Sequence, residues 1–218
     1  MTNPIQDNKE YPSGEEVMNG IPFKPDMIKA IVEERKTQAR RLSGLAKVNQ
    51  EPDTWCSPMS NTAGTAWLFS PQPGGIGISV KSRYQVGEVV YIKEAICFEC
   101  YGETSPKFCC FKEEHNKDCD SAIWHSPLFL PERVARYFLK ITDVRPERLQ
   151  EITSEDCRAE GLTAASYELW KVANIETFWR GRYQRLWDSL YPKQTWASNP
   201  WNFVYTFELV DKPKEEKE

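Results

Sequence analysis

No run in this chain approaches the roughly 20 apolar residues that a helix needs to cross a bilayer. Residues 1–20 are polar and lack the apolar segment of a secretory signal. A dominant charge is lacking as well: 28 basic residues face 32 acidic ones, a formal net charge of −4. No global field therefore draws in nucleic acid, and any anion site has to be local. Internal repeats are absent, and no β-α-β rhythm points to a doubly wound sheet. What these absences leave is a soluble cytoplasmic protein with no membrane partner. Its seven cysteines, an odd number, are then expected as reduced thiols or metal ligands.

Basic residues are present in one dense local knot. The chain Ile28-Lys-Ala-Ile-Val-Glu-Glu-Arg-Lys-Thr-Gln-Ala-Arg-Arg41 begins with a helical apolar stripe of Met27, Ile28, Ile31 and Val32. It then delivers Arg35, Lys36, Thr37, Arg40 and Arg41 at the helix end. Arginine forks suit phosphate or carboxylate, and a lysine crowded by cations loses its proton more readily than a free one. A solvated basic face is the plainer alternative. The helix is expected to start near Phe23 or Pro25, with Asp26 as N-cap, and to run to about Glu34.

Residues 43–75, rich in Gly, Pro, Ser and Asn, read as a long loop around the short apolar patch Ala66-Trp-Leu-Phe69. Gly87 to Phe98 and Tyr137 to Arg145 read as strands. Ser154 to Glu160 reads as a short helix stopped by Gly161, and Ala164 to Leu190 as a helical stretch. Trp179, Tyr183, Leu186, Trp187 and Leu190 make the apolar face of its second half, so Trp187 is assigned to the core. Trp201, Phe203, Tyr205, Phe207 and Leu209 alternate with Asn202, Val204, Thr206 and Glu208, which predicts a strand with one aromatic face. The expected fold is α+β on a small, mostly antiparallel sheet or barrel. Residues 1–20 form a loose arm, 21–210 a single domain with an insertion at about 99–127, and 211–218 a charged tail.

Several segments in order resemble the activating-signal-cointegrator homology (ASCH) family, especially its phage and prophage members. They are Ile21-Pro-Phe-Lys-Pro25, Arg35-Lys-Thr-Gln-Ala-Arg-Arg41, Val86-Gly-Glu-Val-Val-Tyr-Ile-Lys-Glu94, Ser126-Pro-Leu-Phe-Leu-Pro131 and Leu139 to Ile152. Glu155 to Gly161, Leu186-Trp-Asp-Ser-Leu-Tyr191 and Trp196-Ala-Ser-Asn-Pro-Trp201 complete the set. The resemblance implies a PUA-like β-barrel flanked by helices, with a cleft beside the basic segment that binds RNA or a nucleotide. One bacterial branch hydrolyses the acetyl amide of acetylcytidine with a Lys, a Thr three residues later and a distant Glu. Carried over, the Lys falls on Lys36 and the Glu on Glu160, while the Thr position falls on Ala39. A methyl group cannot be a nucleophile, and Thr37 sits at a different offset.

The candidate site therefore has Lys36 as anion clamp or base, Arg40 and Arg41 as anion forks, and Thr37 beside them. Glu94 would pair with Lys36 or accept from a base, and Glu160 would be its acid-base partner in the alternative reading as a hydrolase. Asn199 could read a base edge and Trp201 stack on a base, or open the strand as a core residue. A third reading is a phage accessory module that binds another protein. Cys97-Phe-Glu-Cys100 has metal-ligand spacing, and Cys109, Cys110, His115 and Cys119 could complete a structural zinc site of four ligands. Packing thiols are the alternative there, and His125, with no such companion, reads as an ordinary loop histidine.

Overall fold

The computed structural model describes residues 18–213 apart from 57, 62–63, 72–74, 100–106, 112–122, 166–167, 169–172 and 193, with the backbone alone for 97–99, 107–110, 123 and 194. The predicted arm of residues 1–20 lies almost wholly outside the described residues. Its last residue already belongs to strand β1 (Gly20–Pro22).

Helix α1 (Pro25–Val32) follows, and its N-cap is Lys24 rather than Asp26, because Pro25 occupies the first helical position. Ile28 and Ile31 are buried, as the stripe predicts. The helix ends two residues before the predicted limit. Glu34 adopts a left-handed turn (φ 57) that sends the backbone N–H groups of Arg35 and Lys36 to the Ala30 carbonyl. Residues expected as a knot on a helix end become strand β2 (Gln38–Arg41).

The expected loop of residues 43–75 is instead largely structured. It contains β3 (Met59–Ser60) and β4 (Ala66–Phe69), which join β5 (Ile78–Lys81) in an antiparallel meander. Tertiary burial overrides local composition here, since Phe69, Val80 and Trp67 pack on the main core. The strand predicted over 87–98 is broken at Glu94, giving β6 (Val89–Lys93) and β7 (Ile96–Glu99). β7 pairs with β8 (Lys107–Phe111) and β9 (Ile123–His125) in a third sheet.

The main sheet has the order β1-β6-β10-β11-β2, where β10 is Phe138–Arg148 and β11 is Trp201–Val210. β1 runs parallel to β6, and all other pairs are antiparallel. The architecture is α+β with mostly antiparallel sheets, but these sheets are open, and the expected closed barrel is not formed among the described residues. β10 and β11 pair along ten positions, and Thr142 is the extra residue of a bulge between Ile141 and Asp143.

Helix α2 (Ser154–Ala159) is held by a reciprocal cap between Thr153 and Asp156. Helix α3 (Ile175–Asp188) starts with Asn174 as N-cap, and α4 (Gln194–Ala197) precedes β11. Trp179, Tyr183 and Trp187 are buried as the period predicts, against Leu149, Ile152, Cys157 and Trp196.

β11 departs from a one-faced strand. Trp201, Phe203, Tyr205 and Phe207 enter the main core, but Asn202 and Val204 on the other face are buried as well. That second burial is what places charged side chains inside the molecule.

Gly161 (φ +89) reverses the chain after α2, and a Cβ there would stand 3.0 Å from the Lys36 Cβ and 3.3 Å from the Ala30 Cβ. Gly87 (φ +88) has open space around it. Gly87→Ala is expected to lose only the left-handed conformational cost, about 1–2 kcal/mol. Gly161→Ala should lose more, measured as the difference between the two urea midpoints. Equal losses would show that the close approach of Lys36 and Ala30 is unimportant.

Candidate functional site

β2 is an edge strand of period two, and β11 beside it is buried on both faces. Ala39 is wholly buried in the aromatic core opposite Tyr205, whereas Gln38 and Arg40 belong to the other face. Lys36, just before β2, bridges in antiparallel fashion to Glu160, the C-cap residue of α2. Lys36 is only 2 % exposed and Glu160 6 %.

All three ammonium protons of Lys36 are engaged. Nζ donates to Glu160 Oε2 at 2.6 Å, to the Glu160 carbonyl at 3.0 Å and to the Gln38 carbonyl at 2.8 Å. Burial lowers the pKa of Lys36, with Arg41 and Arg40 adding to the effect, while Glu160 opposes it.

Arg40 is equally occupied. Its Nη1 meets Gln38 Oε1 at 2.7 Å and Glu160 Oε1 at 3.2 Å, and Nη2 meets Glu147 Oε2 at 3.0 Å and Asp156 Oδ2 at 3.1 Å. Burial works against its charge, but Glu160 foremost, then Tyr183, Asp156 and Glu147, raise its pKa above the ordinary value. The guanidinium lies 5.7 Å from the Tyr183 ring centroid, and its Nε is buried without a partner. Arg145 completes the network from β10 through Glu147 and Asp156. Burial raises the Asp156 pKa, but Arg40, Thr153 and Gln38 hold it below its ordinary value.

The remaining sequence candidates are scattered. Glu94 is paired with Arg136 in place of Lys36. Asn199 sits in a left-handed turn (φ 43), where its side-chain oxygen accepts the Gln150 N–H at 2.7 Å, so its acceptor is part of the turn. Trp201 is a core residue: its indole N–H donates to the Pro52 carbonyl and its ring meets Phe69 edge to face at 5.4 Å. Thr37 is exposed and its backbone joins α2 to β11.

Arg41 differs from its neighbours. It is half-buried, donates to the Arg40 carbonyl at 3.2 Å and the Pro22 carbonyl at 2.9 Å, and lies 5.0 Å from the Phe23 ring centroid. Among the described residues no carboxylate pairs with it. Burial raises the pKa of half-buried Tyr191, with Arg41 opposing, and its ring stacks on that of Trp187 at 4.2 Å.

Glu147, Asp156, Arg145, Gln38 and Tyr191 were missed as site residues. Asp156 and Glu160 do share a helix face by their spacing of four, and Lys36, Gln38 and Arg40 share a strand face by their spacing of two. Of the zinc candidates, Cys100, His115 and Cys119 lie outside the described residues, as do the side chains of Cys97, Cys109 and Cys110. Among the described residues no three His, Cys, Asp or Glu side chains gather to hold a metal. Cys157 is buried, with its thiol pushed up to about 12 by that burial.

Removing one partner of a buried pair strands the other. Lys36→Met is therefore expected to destabilise the protein by about 3–5 kcal/mol, and Lys36→Met with Glu160→Gln by much less. Urea unfolding of the two variants checks this, and equal losses would contradict the pair. Asp156 binds its proton more weakly folded than unfolded. Its contribution is thus complete above the ordinary value of 3.8 and lost as pH falls through the lower folded value. An Asp156→Asn variant should show a shallower acid loss of stability over that window.

No family model, no curated protein and no solved structure matches this chain.

Proposed function

We propose that this chain is an RNA- or nucleotide-binding module of the ASCH kind, a PUA-like variant with an opened barrel, in which Arg41 and not Arg40 meets the ligand phosphate. One observation carries the reading. Among the cations of the basic segment Lys36 and Arg40 are neutralised inside the molecule, whereas Arg41 is half-buried beside the Phe23 ring and has no carboxylate partner among the described residues. A guanidinium held by two backbone carbonyls is oriented, yet keeps donors for a phosphate. Phe23 is itself buried, at 4 % exposure, so its ring orients the guanidinium from inside the core. Lys24, which donates to the Ser189 carbonyl at 3.1 Å, ties this side of α1 to the end of α3.

The hydrolase alternative has one point in its favour, the short contact between Glu160 and a lysine whose pKa burial lowers. It lacks an attacking group, because Ala39 bears only a methyl and is shut in the aromatic core. The sealed pair fits better as the frame that holds β2 against α2. Purified protein is accordingly expected to release no cytidine from acetylcytidine, followed by chromatography. Release that disappears in Lys36→Ala would reinstate the enzyme.

Titration of labelled single-stranded RNA and of free nucleotides tests the binding reading. Arg41→Ala should weaken binding at least about 10-fold, the scale of one charge-assisted hydrogen bond, and reduce the salt slope by about 0.7. Wild-type binding with an unchanged Arg41→Ala curve would remove the phosphate assignment. No binding by the wild type at all would favour the accessory module that binds protein.

A further inference from the structure

We propose that the two edges of the main sheet are joined by side chains, with Arg41 as the clasp, so that a phosphate taken up by Arg41 also fixes β1. The proposal rests on the reading of Arg41 as the phosphate residue and adds a conformational consequence to it. β1 and β2 stand at opposite ends of the strand order, and no backbone ladder connects them. Yet Nη1 of Arg41 donates to the Arg40 carbonyl of β2 at 3.2 Å, and Nη2 to the Pro22 carbonyl of β1 at 2.9 Å. One guanidinium spans the gap between the edges, which requires the sheet to curl until they face each other.

Register decides which backbone groups line that gap. The Phe207 N–H donates to the Thr37 carbonyl, so Ala39 and Arg41 turn their backbone groups toward β11 while Gln38 and Arg40 turn theirs away. On β1 the Asn19 carbonyl accepts from the Tyr91 N–H and the Phe23 N–H donates to the Lys93 carbonyl, so Gly20 and Pro22 face away from β6. Each of these carbonyls accepts from a side chain. Gly20 accepts from the Tyr84 hydroxyl at 3.1 Å, Gln38 from Lys36 at 2.8 Å, and Pro22 and Arg40 from Arg41. Pro22 has no N–H to offer, which suits an edge that no further strand extends. Phe23 fills the gap beneath the cations. Its ring lies 5.0 Å from the Arg41 guanidinium and 5.9 Å from Lys36 Nζ, and it meets Phe207 of β11 edge to face at 5.9 Å.

β1 is three residues long and pairs with one strand, so its seat depends on these side-chain bonds. Arg41 keeps N–H donors beyond those that hold the two carbonyls. A phosphate on the remaining donors holds the guanidinium in the place where it also holds Pro22. Bound phosphate and docked β1 then favour each other, and the coupling is reciprocal.

Amide hydrogen exchange of the full chain, followed by NMR, tests both halves. The Phe23 and Tyr91 amides report on β1, and the Ile141 amide, which donates to the Glu88 carbonyl, is the control. Without ligand, Arg41→Gln is expected to speed the two reporters about 10-fold. Tyr84→Phe, which keeps the ring and every charge, should speed them about 5-fold, the scale of one hydrogen bond removed. Ile141 should not change in either variant. Unchanged reporters in a folded Arg41→Gln would overturn the clasp, and should that variant not fold, unchanged reporters in Tyr84→Phe would do so. Saturating the wild type with labelled single-stranded RNA should then slow the reporters at least about 5-fold more than Ile141. RNA that binds and leaves the reporters unchanged would overturn the coupling while sparing the binding reading. Absence of RNA binding would overturn that reading and the coupling together, with the clasp still decided by the ligand-free comparison.

Discussion

Lys36, Arg40 and Glu160 form a buried charge network on which the placement of the other elements depends. The Glu160 carboxylate accepts from Lys36 with one oxygen and from Arg40 with the other, and Asp156 and Glu147 complete the shell around the guanidinium. β2, β10 and α2 each contribute to this shell, so none can shift without leaving a charge unpaired. Such a network adds little net stability over an apolar core of equal volume. It does penalise every arrangement in which one partner is missing. The charges thereby select one docking of α2 on the sheet.

The same network decides which cations remain for a ligand. A lysine with three engaged donors, and an arginine whose Nη atoms face three carboxylates and whose Nε is sealed from solvent, are closed to phosphate. Arg41, one residue further, belongs to the opposite face of β2 and escapes the carboxylates of α2 and β10. Its surroundings are two carbonyls and the ring of Phe23. A one-residue step along an edge strand thus separates a cation ringed by carboxylates from one that has no carboxylate partner among the described residues.

Legibility in the sequence followed the range of the forces involved. α1, α2 with its glycine stop, the period of Trp179, Tyr183 and Trp187, and β10 and β11 arise from local patterns, and all were readable. The meander β3–β5 was not, because its strands are two to four residues long and owe their order to Phe69, Val80 and Trp67 packing on a distant core. Glu94, Asn199 and Trp201 carried plausible chemistry by type, but each is used by a neighbour far along the chain: Arg136, Gln150 and Pro52.

By itself the sequence determined a mixed α+β chain with a dense basic segment, a cysteine-rich insertion and an aromatic final strand. It also carried Lys36 and Glu160 as a related pair, through resemblance and not through spacing, since 124 positions separate them. Only the tertiary structure decided that this pair is sealed, that Arg40 faces inward, and that Arg41 lies beside the ring of Phe23. It alone paired the backbone of Cys97 with that of Cys110 across β7 and β8. The reason is physical. Residue type limits the chemistry a side chain can do, but its capacity to bind depends on which donors and acceptors remain unpaired, and pairing between distant segments exists only once the sheet and helices have packed.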